Sequence, residues 1–179
     1  MAELIPEFDS VVAPARKGIV RLLDHVVTWW ALAGGCVFVA LVVMSIISII
    51  GRKLFSAPIE GDMELLMMGA AVGSAAFLPV CEMHDQHIKV DALTTWMSER
   101  GCAVLDMVAH MLLMLASAAI AWRTILYVIE CHENMEVSAL LLVPMWQPVL
   151  LMVPSFVLLT AAALYRLLVS TQLALGGKL

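Results

Sequence analysis

The stretch ALAGGCVFVALVVMSIISII, residues 31–50, decides the fold. It holds eleven Leu, Ile, Val or Phe residues and no charge. At roughly −0.3 to −0.6 kcal/mol for each such residue, its transfer into a bilayer is favoured by roughly 3 to 7 kcal/mol. Hydrocarbon offers the backbone no hydrogen-bond partner, so a segment this apolar crosses as a helix. Trp29 and Trp30 precede it, where aromatic rings meet the headgroups, and the span is read as residues 27–50.

The remainder of the chain agrees with a lipid solvent. Of its 179 residues 63% are hydrophobic and 14% charged, about half the charged share of a soluble domain. A soluble core of this size could not hide so much apolar surface. The net charge of −5 speaks against nucleic acid as a partner. Cys36, Cys81, Cys102 and Cys131 show no C-x-x-C spacing, and each reads as a small buried hydrophobe.

Three further apolar runs are long enough to cross, at 63–83, 102–129 and 144–169. The predicted architecture is therefore an all-α integral membrane protein with four transmembrane helices in one domain over 1–179. Two non-spanning helices are expected beside them. Over 9–26, Ile19, Leu22, Leu23 and Val26 follow helical spacing while Arg16, Lys17, Arg21 and Asp24 face elsewhere, with Ser10 as cap and Pro14 in the first turn. This predicts an amphipathic helix on the membrane surface, the alternative being an extension of the first span. Over 88–100, Leu93, Trp96 and Met97 share a face, Asp91 suits the N-cap and Gly101 the end. That predicts a short interfacial helix after the second span, and makes the polar HDQHIKVD of 84–91 a water-facing turn.

Arginine and lysine set the orientation. With the N-terminus inside, the inner side holds Arg16, Lys17, Arg21, Lys89, Arg100, Arg166 and Lys178, and the outer side Arg52, Lys53 and Arg123. Seven against three places both termini in the cytoplasm.

Few residues invite chemistry. Gly69 and Gly73 form a small-xxx-small motif, which lets helices approach closely without naming the neighbour. Asp106 and His110 share a face at i, i+4, open to a proton relay or, the plainer reading, to bonds with neighbouring helices or headgroups. Arg123 shares a face with Tyr127 and Glu130; pairing with Glu130 or snorkelling to the outer surface is preferred to substrate binding. A charge deep in a span costs roughly 2.5–3.5 kcal/mol, so the third helix needs protein neighbours. Cys81, His84 and His87 give a C-x2-H-x2-H string without an evident fourth ligand, although Glu82 or Asp85 could supply one. The histidines do not present a facing pair for heme. No cofactor, metal or catalytic residue is expected, and no enzyme motif is present.

Three motifs carry a family resemblance. GRKLFSAPIEGDMELL (51–66) joins the first two spans, with Arg52 and Glu64. AAFLPVCEMHDQHIKVDAL (75–93) ends the second, with His87, Ile88, Val90 and Asp91 in an H-I-x-V-D pattern. EVSALLLVPMWQPVLLMVPSFVLL (136–159) opens the fourth, with Pro144, Trp146 and Pro154. In this order the chain, from about residue 27 to 168, resembles the small, DctQ-type membrane subunit of tripartite ATP-independent periplasmic (TRAP) transporters. Met67-Met68 departs from it, since many members carry an aromatic residue there. The resemblance implies a separate large membrane subunit that carries the substrate and sodium sites and moves as an elevator. It implies too a periplasmic binding protein delivering an organic anion such as a carboxylate, and an inner-membrane location among lipids. In that reading this chain is a stator, binds no substrate itself, and contacts its partners through candidates among Arg52, Glu64, Gly69, Gly73, His87, Asp91, Trp96, Asp106, His110, Arg123, Pro144 and Trp146. The competing readings are a self-sufficient four-helix carrier or channel working as a homo-oligomer, and a membrane heme or redox subunit.

Overall fold

The computed structural model describes residues 14–54, 59–84 and 99–174. They form four helices: α1, Pro14–Leu54; α2, Asp62–Met83; α3, Glu99–Glu133; and α4, Trp146–Ala174. All four are long and apolar enough to cross a membrane. Among the described residues the sole β pairing is an isolated antiparallel bridge, Val137 with Pro144, in the connection between α3 and α4.

Two predicted boundaries change. The amphipathic segment is not set off from the first span: α1 runs through residues 14–54 as one helix of 41 residues. No proline interrupts it after Pro14, and nothing between Gly18 and Gly34 frees the backbone to turn, so the helix continues. Gly101 does not end a helix either; it lies in the first turn of α3, which begins at Glu99. The remainder of the interfacial segment, with His87, Asp91 and Trp96, lies outside the described residues, as do residues 9–13.

The helix ends follow local chemistry. Gly61, φ +74°, precedes α2, and a Cβ there would overlap the Leu141 side chain. Asp62 and Glu64 then occupy the first turn, where the helix dipole favours anions. At the far end of α3 the chain leaves through Met135, φ +49°, while the Glu136 N–H donates back to the Cys131 carbonyl at 3.1 Å. This is the six-to-one bond of a Schellman ending, with methionine in the place that glycine usually takes.

The helices do not close into a bundle. α2 packs against α1 on one side and α4 on the other, and α3 packs on α4. α1 and α4 meet only briefly, and neither α1 nor α2 has a close backbone approach to α3. The order across the protein is thus α1, α2, α4, α3, a single layer whose broad faces stay open. Val39, Val42, Ile46 and Ile49 of α1 are among the many large apolar side chains left exposed.

The small-residue motif of α2 is used inside the chain. Gly34 stands against Ala76 and Gly73, Gly73 against the Phe38 ring, and Gly69 against Leu41. These pairs run antiparallel along α1 and α2, and the rings of Phe38 and Phe77 stack at 5.9 Å. A Cβ on Gly73 would lie 2.7 Å from Phe38 Cε2. Most buried residues of α3 and α4 are small or hydroxylated: Ser117, Ala121 and Cys131 on α3, Ser155, Ala162 and Ala163 on α4, with His110 and Leu159 the larger exceptions. The hydroxyls of Ser117 and Thr160 meet at 3.0 Å. Trp30, expected among headgroups, instead donates its indole N–H to Ser155 Oγ at 2.9 Å, and this joins α1 to α4. Trp29 is exposed and donates to His25 Nε2 at 2.8 Å.

Gly73→Leu should lower stability by about 1–3 kcal/mol through overpacking against Phe38. Val39→Leu, on the open face of α1, should leave it within about 0.5 kcal/mol. Thermal unfolding of both variants in mild detergent checks the contrast.

Candidate functional site

The polar side chains gather at the two ends of α2. At its N-terminal end Asp62 accepts from the Ser48 hydroxyl at 2.6 Å and from its neighbour's amide, Met63 N–H, at 2.8 Å. Arg52 Nη2 lies 3.1 Å from the same carboxylate. The guanidinium is largely exposed, so the pair orients the turn between α1 and α2 more than it stabilises it.

Glu64, also in the first turn of α2, is bound more fully. Its carboxylate accepts from the Ser138 hydroxyl at 2.8 Å, the Leu140 N–H at 2.9 Å and the Leu141 N–H at 3.1 Å. Successive backbone N–H groups converging on one anion form a nest. The loop makes that nest because it is folded back on itself. Ser138 N–H donates to the Val143 carbonyl and Met145 N–H to the Glu136 carbonyl, each at 2.9 Å, and Leu142 takes φ +53°. Glu64 thereby fastens the connection between α3 and α4 to the start of α2. Pro144 lies in the bridge of this loop, and Trp146, the first residue of α4, sets its ring against His132 at 5.8 Å.

At the other end of α2, Glu82 is fully buried and its Oε1 lies 2.7 Å from Nδ1 of the buried His110 of α3. The backbones of α2 and α3 never come close, so this contact is a direct side-chain tie between them. Asp106, one turn before His110, and Arg166 of α4 make further interactions of their own. The Ser117–Thr160 contact sets the antiparallel register of α3 and α4, and His110, seven residues back along α3, and Arg166, six residues on along α4, therefore lie at nearly the same level. Outside this group, Asp24 Oδ1 of α1 lies 3.3 Å from His84 Nε2, both side chains being partly exposed.

Of the two readings of His110, a relay with Asp106 on its own helix or a bond to a neighbouring helix, the structure gives the second, and the partner is Glu82. Glu82 was considered only as a metal ligand. Its signal was available: an acid inside an apolar helix, three residues past a proline, must find a partner. Among the described residues no three His, Cys, Asp or Glu side chains gather as a metal site. His87, third member of the C-x2-H-x2-H string, lies outside them. Arg123 is exposed and makes no ion pair among the described residues, so of its two expected outcomes, pairing with Glu130 or snorkelling, the pairing is not formed.

The geometry is that of a braced helical layer with its charges tied across helices. Comparison with known families then gives a match over residues 41–173 to the model for tripartite ATP-independent periplasmic transporters, DctQ component. The chain belongs to this family. DctQ proteins are the small membrane components of TRAP transporters, a family of transporter parts and not of enzymes. No curated protein and no solved structure matches the chain. The match takes in α2, α3 and most of α4, and with them the nest around Glu64 and the Glu82–His110 tie.

Removing one partner of a buried pair leaves the other uncompensated. His110→Leu should therefore cost about 3 kcal/mol or more, and adding Glu82→Gln to it should recover part of the loss. Glu64→Gln should lower the melting temperature and open the 138–142 loop to protease, since an amide oxygen holds three donors less strongly than a carboxylate. Unfolding in detergent and limited proteolysis measure these effects.

Proposed function

We propose that this DctQ-type chain is the fixed scaffold of a TRAP transporter. It holds a large membrane subunit that carries the substrate and sodium sites and moves as an elevator, while a periplasmic protein delivers the substrate, an organic anion of the carboxylate class. The observation that carries this reading is the form of the layer. Its polar side chains, Asp62, Glu64, Glu82 and His110, are engaged with one another or with the chain's own loops. Its broad apolar faces meanwhile remain open. A carrier working alone near the bilayer midplane usually builds its site from broken helices. Here α1 to α4 run unbroken through 14–54, 62–83, 99–133 and 146–174.

The location that fits is the inner membrane, crossed four times. The excess of arginine and lysine at the termini and in the segment between α2 and α3 favours a cytoplasmic side for both termini. The nest around Glu64 then faces the periplasm, the side from which a binding protein would dock.

Reconstitution tests the proposal. The chain alone in liposomes should move no organic anion, and the large subunit with its binding protein should lose uptake when the chain is left out. Sodium-dependent or independent uptake by the purified chain alone would sink the scaffold reading.

A further inference from the structure

We infer that the face of α3 bearing Arg123 is the surface that docks the large subunit, and that a carboxylate on a membrane helix of that subunit pairs with Arg123; this rests on the scaffold reading above. α3 has two faces. His110, Ser117, Ala121 and Cys131 are buried within the chain. The other side presents Leu105, Ala109, Leu112, Ala116, Ala119, Arg123, Leu126 and Glu130, and every one of these is exposed. Their spacing alternates four and three residues without a break, the seam that one helix offers another. Alanine at 109, 116 and 119 allows a close backbone approach. The open face of α1 is different in kind: its Val39, Val42, Ile46 and Ile49 suit lipid chains and contain no charge.

Arg123 decides what covers the α3 seam. It lies ten residues before the end of the span at Glu133, about 15 Å along the helix. A hydrocarbon core of roughly 30 Å centred on that span leaves it well below the nearer surface. Its Cα–Cβ bond leans toward the N-terminus of α3, as in every α-helix, and so away from that nearer surface. Snorkelling to a lipid phosphate there must work against this lean. Within the chain no acid among the described residues pairs with it. A cation held at this depth, on a seam built for a helix, fits a carboxylate carried by the neighbouring helix.

The test uses the chain co-expressed with its large subunit and extracted in mild detergent. Arg123→Leu should lower recovery of the large subunit about tenfold or more, with Arg123→Lys retaining most of it. The melting temperature of the isolated Arg123→Leu chain should not move, because Arg123 forms no ion pair among the described residues. In a chain whose four native cysteines are replaced, Ala119→Cys should cross-link to the large subunit and Val39→Cys should not. Unchanged recovery with Arg123→Leu, cross-linking through Val39→Cys alone, or recovery restored to Arg123→Leu by added phospholipid would each overturn the assignment, the last in favour of a lipid headgroup. If the unaltered chain brings down no large subunit, the scaffold reading falls and this assignment with it.

Discussion

A carboxylate stands near each end of α2, and the architecture depends on how the two are satisfied. Eighteen residues separate Glu64 from Glu82, about 27 Å along the helix, close to the thickness of a hydrocarbon core. Neither can be left bare in lipid. Glu64 is answered by a hydroxyl and backbone amides of the loop between α3 and α4, Glu82 by a histidine of α3. α2 thus fixes α3 at both ends without lying close to it. Between the two anchors its small residues take up α1, so one helix of 22 residues organises the other three.

The open layer follows from what drives association in lipid. Apolar side chains gain little from meeting one another when the surrounding solvent is equally apolar, so exposed valine and isoleucine do not pull the layer into a closed bundle. Close backbone approach and polar ties do the work. They occur at a limited set of places: Gly34, Gly69 and Gly73 between α1 and α2, Trp30 with Ser155 between α1 and α4, and Ser117 with Thr160 between α3 and α4. The broad faces left over are what a membrane partner can use.

Much of this was legible in the residues, and the division has a physical cause. Hydropathy gives the existence of four helices because it needs only local composition; the second span, expected at 63–83, is found at 62–83. Periodicity gives neighbours on the same helix, such as Asp106 for His110 and Glu130 for Arg123, but cannot name a partner on another helix. It carries no information on the register between helices, which is what brings Glu82 to His110. Glu64 stood out only through a family pattern, since nothing local says that a loop more than seventy residues away will wrap around it. The small-residue motif predicted close packing, and the helix it packs against became visible only when α1 was placed. Between a surface helix and an extension of the first span the sequence could not choose, because a helical pattern looks the same whether or not the helix goes on; α1 continues through both.

The length of α1 has a mechanical consequence. Its 41 residues extend about 60 Å, twice the depth of the hydrocarbon it crosses. A rod of that size without a proline joint behaves as a lever arm fixed to the membrane partway along. Rocking it by ten degrees about one end would swing the opposite tip roughly 10 Å. The contact between Asp24 and His84 lies on the arm, where leverage is considerable, so even a weak tie at that point damps such rocking better than a stronger one close to the fulcrum.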